Sequence, residues 1–326
     1  MKNILAIPIG PITTGSSRIR LYSILEELKD ELEYDILNPF IVPVSMPSLE
    51  FCEKYDSIYV QKTAYPHIIN FCTNIILNSR EPKKIIYDLD DDLGSGISSK
   101  ENEIKMCMLA DTIVVDSTHR LEDTKKMFPH KKVTLLKGMI DFAYDKAREK
   151  KYNHTKSLEI ATTYGFSDVN IESTLFHLEG LQNLGLKTQI MINHVPGREK
   201  YNDLCDNYIH WKLDEFIQQL TETDLCVLCH SRDELGKRKD NCRLVLAMSL
   251  GIPTITSKTA AFYETLKEVN LEYLACETKE ELKYAYDILQ SPLKRKEISD
   301  IFVKYAWEKN SPEACSKEFY DLIMEE

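Results

Sequence analysis

Residues 224–257 read DLCVLCHSRDELGKRKDNCRLVLAMSLGIPTITS. An apolar run led by Asp224 gives way to a polar stretch, then to a helical pattern over Asn241–Leu250. A Gly251–Ile252–Pro253 turn and a second apolar run, Pro253–Thr256, follow. Strand, loop, helix and strand in that order predict a right-handed parallel crossover. Glycine followed closely by proline suits a sharp exit from the helix. The polar loop carries Lys237, Arg238 and Lys239 into the start of the next helix, and Arg243 lies about one turn further on. A helix N-terminus offers unpaired N–H groups and the positive end of the dipole. Cations placed there predict a diphosphate site. The residues alone also allow a solvated basic loop that balances local acids.

The same rhythm runs outward in both directions. Apolar runs suggest strands at Asn3–Ile9, Tyr34–Leu37, Ser57–Gln61, Lys84–Leu89, Thr112–Asp116 and Val133–Lys137. A second set falls at Leu158–Thr163, Thr188–Asn193, Tyr208–Trp211, Leu225–Cys229, Pro253–Thr256 and Tyr273–Cys276. Between them lie amphipathic stretches. In Arg18–Leu32 the residues Leu21, Ile24, Leu25, Leu28 and Leu32 form one apolar stripe at helical spacing. Helices are also expected at Val169–Leu184, Leu213–Leu220, Asn241–Leu250, Thr259–Val269 and Lys279–Gln290. Thr278 and Glu281 have capping-box spacing, and Ser311–Pro312 is a helix start. The charged stretch Asp141–Lys156 breaks the pattern and reads as a connection between two domains.

Bulk properties bound the function. A chain of 326 residues with 43% hydrophobic and 29% charged residues suits two globular domains. Residues 1–150 hold 20 basic and 23 acidic side chains, and the remainder holds 21 and 29. Neither half has the positive excess typical of non-specific nucleic-acid binding, although local basic loops leave a DNA acceptor open. The nine cysteines form no CxxC pair and the eight histidines no cluster, so neither a disulfide framework nor a zinc site is expected. The opening MKNILAIPIG is too short for a signal peptide, and no apolar stretch approaches a membrane span. A cytoplasmic protein is the expectation.

Several further groups stand out. Asp88–Leu89–Asp90–Asp91–Asp92 lies at the C-terminal end of a predicted strand, where parallel sheets place ligands. Asp88, Asp90 or Asp91 could take a proton from an acceptor hydroxyl, or an Asp-x-Asp pair could hold a divalent metal. The plainer reading is an acidic turn. In the loop Gly10–Arg20 the glycines do not make a dinucleotide fingerprint, which argues against a nicotinamide cofactor. Gly15, Ser16, Arg18 and Arg20 there can meet phosphate or acceptor, or the arginines can be exposed first-turn residues. Gly165, Phe166 and Ser167 follow the first strand of the second half. His210 and Trp211 end a strand; Trp211 can stack on a base or sugar, or simply fill a core. A Cys229–His230 pair is rejected, because neighbouring strand residues face opposite ways.

These segments together resemble GT-B glycosyltransferases, bacterial and phage-type sugar transferases among them. Lys239, Asn241, Arg243–Leu244, Ala247 and Gly251–Ile252–Pro253 match the donor-side pattern of lysine, polar residue, Arg-Leu, Ala and Gly-x-Pro. GSSRIRLYSILEEL, YDSIYVQK, KKIIYDLDDDL and ADTIVVDSTHRLEDTKKMF are similar, in order, to successive segments of the first domain. In VTLLKGMIDF, Lys137–Gly138 stands where Asn-Gly is common. The retaining family related to glycogen synthase uses two glutamates eight residues apart around the donor loop. Arg238 and Leu246 occupy those positions here, so that family's site is not carried over.

The resemblance implies an α/β fold of two Rossmann-like domains facing a central cleft. The domains would span 1–150 and 157–305, with the helix at 311–326 packing back on the first. It implies transfer of a hexose or pentose from a nucleotide-diphosphate sugar, such as a UDP-sugar, to a hydroxyl. The acceptor could be a glycan, a lipid-linked glycan or a hydroxylated DNA base. The donor would meet Gly165–Ser167, His210, Trp211, Lys237, Arg238, Lys239, Asn241 and Arg243, with Glu264 matching another donor-side glutamate. No cofactor or metal is expected if the cations stabilise the leaving diphosphate. The alternatives are a non-catalytic nucleotide-sugar-binding protein and an epimerase or hydrolase on the same scaffold.

Overall fold

The computed structural model describes residues 2–38, 47–94, 98–141, 152–165, 168–192 and 204–325. The chain divides into two compact units, Met1–Phe142 with Ser311–Glu326, and Ala143–Asn310.

In the first unit, six strands alternate with helices. The strands are β1 (Asn3–Ile7), β2 (Glu33–Ile36), β3 (Ser57–Gln61), β4 (Lys84–Asp88), β5 (Thr112–Val115) and β6 (Lys132–Leu135). All pair in parallel, in the order β2-β1-β3-β4-β5-β6. The stripe anticipated after Arg18 forms a broken helix: α1 (Gly15–Ser17), a π-helical turn Arg18–Tyr22 and α2 (Ser23–Glu27). Helices α3 (Leu49–Cys52), α4 (Pro66–Asn78), α5 (Lys100–Leu109) and α6 (Thr118–Met127) connect the later strands. Alternating strand residues feed two apolar layers. Leu5, Ile7, Ile58, Val60, Ile85 and Tyr87 pack with Ile68, Phe71, Cys72 and Met106 on one side. Ile4, Ala6, Tyr59, Ile86 and Val114 pack with Leu21, Ile24 and Leu25 on the other. That second layer also takes Cys315, Phe319, Leu322 and Ile323 from the last helix of the chain. Burying such side chains stabilises the fold by about 1.5–3 kcal/mol each.

The second unit repeats the scheme with β7 (Ile160–Tyr164), β8 (Lys187–Ile192), β9 (Asn207–His210), β10 (Leu225–Leu228), β11 (Thr254–Ser257) and β12 (Ala275–Cys276). Its order, β12-β11-β10-β7-β8-β9, is again fully parallel. The helices are α7 (Ile171–Asn183), α8 (Phe216–Thr221), α9 (Glu234–Arg238), α10 (Cys242–Ser249), α11 (Ala260–Glu268), α12 (Lys279–Leu289) and α13 (Pro292–Lys309). The chain then returns to the first unit as α14 (Pro312–Met324). The capping box forms as spaced: Thr278 Oγ1 accepts from Glu281 N and the Glu281 carboxylate accepts from Thr278 N. Gly251, at φ +71°, turns α10 into β11, and a Cβ there would stand 2.3 Å from Ser299 Oγ. Asp224 leads β10 because its carboxylate accepts from Glu159 N and Ile160 N, which clamps the start of β7. Buried Arg295 ties residues 152–156 to this unit by donating to His154 O and Lys156 O. Most of the stretch read as a connection, residues 142–151, lies outside the described residues. No helix among the described residues is long and apolar enough to cross a membrane.

Candidate functional site

In a parallel sheet the ligand crevice opens at the carboxyl ends of the strands, where the strand order reverses. In the second unit that point lies between β7 and β10. Arg243, on the first turn of α10, bridges it. Nη1 donates to Tyr164 O at 3.1 Å and Gly165 O at 3.2 Å, and Nη2 donates to Cys229 O at 2.8 Å. Three of the five guanidinium donors are thus held by carbonyl oxygens, and none of these partners is an acid. The site keeps a whole positive charge at the switch point. Gly165 allows the approach: it sits at φ +63°, and a Cβ would fall 2.5 Å from Arg243 Cδ. The Tyr164 hydroxyl donates to Arg243 O. Burial is the first cause that pulls the Arg243 pKa below its ordinary value.

His230, just beyond β10, completes this edge. Its ring stacks on Phe262 at 4.0 Å, and Nδ1 lies 3.2 Å from Thr259 Oγ1. Burial first, then the charges of Arg243 and Lys239, hold its pKa well below the usual histidine range. It is therefore a neutral polar group at neutral pH. Sequence reasoning missed it because it was weighed only as a partner for Cys229. Cys229 instead meets His177 of α7, with Sγ 3.3 Å from Nδ1. The available signal was the inward i, i+4 pair Ser173 and His177 on that helix.

The polar loop differs from expectation. Residues 234–238 form the short helix α9, capped by the Asp233 carboxylate on Gly236 N, so Lys237 and Arg238 lie in its last turn and Lys239 at its C-cap. Gly236 and the strong N-cap Asp233 stabilise a turn that the run of charges obscured. Arg238 pairs with Glu234 at 4.0 Å, and the Lys237 side chain lies outside the described residues. Asn241, N-cap of α10, donates to Thr265 Oγ1 at 2.7 Å. His210 is exposed at the end of β9; Trp211 packs on Phe216 at 5.9 Å, and Phe216 packs on Tyr164 at 5.3 Å. Glu264 lies on the exposed face of α11. Phe166 and Ser167 lie outside the described residues.

In the first unit the strand ends carry opposite charges in contact. Asp88 is fully buried; its Oδ1 accepts from Arg20 Nη2 at 2.7 Å, and its Oδ2 accepts from Arg20 Nε and the Tyr59 hydroxyl, both at 2.9 Å. Lys62 binds Asp90 at 2.7 Å and Asp91 at 2.8 Å. Its backbone sits at φ +54°, a conformation non-glycine residues rarely hold unless the surroundings enforce it. Arg120 pairs with Asp116 and donates to Asp90 O at 2.9 Å. Arg18 is locked to Asp141 at 2.6 Å. The reading of Arg18 and Arg20 as exposed first-turn residues is thus corrected: both are buried, since Asp141 and Asp88 recruit them inward. Gly15 and Ser16 open α1, where Ser16 O accepts from Gln61 Nε2 at 3.0 Å. Among Asp88, Asp90 and Asp91 the side-chain exposures are 0%, 6% and 26%, so Asp91 is the most accessible.

No protein-family model matches the chain, and no curated protein matches it. Solved structures do. An α-glucosyltransferase in complex with UDP superposes with a TM-score of 0.65 at 12% identity over 100% of both chains. Anabaena HepE in complex with UDP gives 0.71 at 12% identity over 99% of both. A putative UDP-N-acetylglucosamine 2-epimerase from Listeria monocytogenes gives 0.57 at 14% identity, covering 99% of this chain and 95% of that one. With two parallel six-stranded Rossmann-like sheets and a match to these structures along nearly the whole chain, this protein has the GT-B fold.

Proposed function

We propose that this protein is a glycosyltransferase that binds a nucleoside-diphosphate sugar at the β7–β10 switch point and passes the sugar to an acceptor hydroxyl. One observation carries the reading: Arg243 brings a positive charge, hydrogen-bonded to carbonyl oxygens and not to a carboxylate, to the place where this fold receives its ligand. Two of its N–H donors remain available to the diphosphate, and charge developing on the leaving group would be stabilised there. Lys239 adds charge nearby, and neutral His230 offers a polar contact. The UDP held by the similar α-glucosyltransferase and HepE supports a UDP-sugar donor. A metal-independent reaction follows if these cations carry the diphosphate charge.

Asp91 is proposed as the group that takes the acceptor proton. Asp88 is enclosed by Arg20 and Tyr59 and serves as their anchor. The acceptor is a glycan, a lipid-linked glycan or a hydroxylated base; a similar α-glucosyltransferase was solved with DNA, which supports testing the last. The likeness to a putative epimerase keeps one second reading, isomerisation or hydrolysis of the sugar nucleotide. Incubation with a panel of nucleotide sugars, with and without candidate acceptors, separates them. Glycosylated product that forms only with acceptor is expected. An altered or hydrolysed sugar nucleotide formed without acceptor would replace the proposal with the second reading.

A further inference from the structure

We infer that Cys229 and His177 form a buried thiolate–imidazolium pair that fixes the end of β10 for Arg243, which makes both of them positioning residues for the donor. The role in donor binding rests on the function proposed above; the ion pair itself does not.

Geometry sets the charge of the histidine. His177 is fully buried on α7, with Nδ1 2.7 Å from Ser173 O and Nε2 3.0 Å from Cys276 O. A neutral imidazole has one N–H, so it would turn a lone pair against one of those carbonyl oxygens. The imidazolium satisfies both. A buried cation needs a counter-charge. No carboxylate among the described residues pairs with His177. The group that faces it is the Cys229 sulfur, 3.3 Å from Nδ1.

The remaining neighbours agree. From α7, the Ser173 hydroxyl is buried without a hydrogen-bond partner, and its proximity favours the ionised Cys229. From α10, Arg243 adds positive charge. From β12, burial pushes the Cys276 thiol up to about 12, so it stays protonated. Burial opposes ionisation of both members of the pair. It is outweighed in each: His177 pulls the Cys229 thiol below its ordinary value, and Cys229 with the two carbonyls raises His177 to about 9.

The consequence reaches the switch point through one residue. The Cys229 carbonyl accepts both Arg243 Nη2 at 2.8 Å and Asn170 Nδ2 at 3.0 Å. Holding the Cys229 side chain by an ion pair fixes where that carbonyl points.

The test uses the full chain. Ultraviolet thiolate absorbance and nitrogen NMR of the histidine rings are measured near neutral pH in the native protein and in Cys229→Ser, with UDP titrated into both and into His177→Gln. The expected result is one thiolate signal that Cys229→Ser removes and a native His177 protonated on both nitrogens. UDP affinity should fall about tenfold in both variants. A native His177 protonated on one nitrogen only, or no thiolate signal, overturns the ion pair, and this readout needs no variant to fold. Unchanged UDP affinity in folded variants overturns the positioning role. Intact spectroscopic signals in a native chain that binds no UDP overturn the donor reading and leave the ion pair standing.

Discussion

The strand ends of the two units handle charge in opposite ways. In the first, Arg20, Lys62 and Arg120 are set directly against Asp88, Asp90, Asp91, Asp92 and Asp116. Cation meets carboxylate, and most of the cluster is buried. In the second, the Arg243 guanidinium hydrogen-bonds to carbonyl oxygens and, among the described residues, makes no direct ion pair with a carboxylate. Carbonyl dipoles orient a guanidinium but do not cancel its charge. The first arrangement organises a fold from within; the second keeps a full charge for a ligand. On the function proposed above, the more acidic half of the sequence holds the anion site, because a site depends on which charges are neutralised locally and not on their sum.

The comparison breaks most readily at Arg20. If the Arg20–Asp88 pair is structural, Arg20→Ala leaves a buried carboxylate uncompensated and costs about 3–5 kcal/mol of stability. Urea denaturation measures this, and a loss below about 1 kcal/mol would mean the cluster is not organised as described. A smaller effect, confined to turnover, is expected at Asp91. Asp91→Asn should lower the transfer rate about a hundredfold or more and leave UDP affinity unchanged, since an amide cannot accept the proton. Full activity would reduce the acidic run to a turn.

Much of this contrast was not legible in the sequence. Strand positions were, because short β-branched runs between amphipathic stretches have few other solutions: Ser57–Gln61 forms β3 with the bounds its pattern suggested. The capping box at Thr278 and the Gly251 turn were readable for the same local reason. The partners of Arg18 and Arg20 were not, since Asp141 and Asp88 lie 123 and 68 residues away. Helix α9 was hidden by its charges. His177 and Cys229, 52 residues apart, meet only because α7 packs across β10. Arg243 was noticed as a cation near a helix start, but its bridging of two strand ends required the strand order.

The Cys229–His177 pair sharpens the comparison further, as an ion pair in the second unit that offsets its own charge. Its pH dependence has a definite sign. The lowered Cys229 thiol contributes stability that is lost as pH falls through its folded value, and the raised His177 contributes stability that is lost as pH rises through about 9. Cys229→Ser should lose that acid limb, a modest change in the slope of melting temperature against pH. An identical slope in the variant would argue against the pair.

The central claim is that Arg243 holds the donor diphosphate, and calorimetric titration of UDP into the native chain and into Arg243→Ala and Arg243→Lys tests it most directly. The account predicts measurable binding to the native protein and a loss of about 1.5–3 kcal/mol in the alanine variant. Lysine should restore only part of it, because a single ammonium keeps the charge but not the fork. UDP binding of native strength in a folded Arg243→Ala variant, or none in the native chain, would contradict the account.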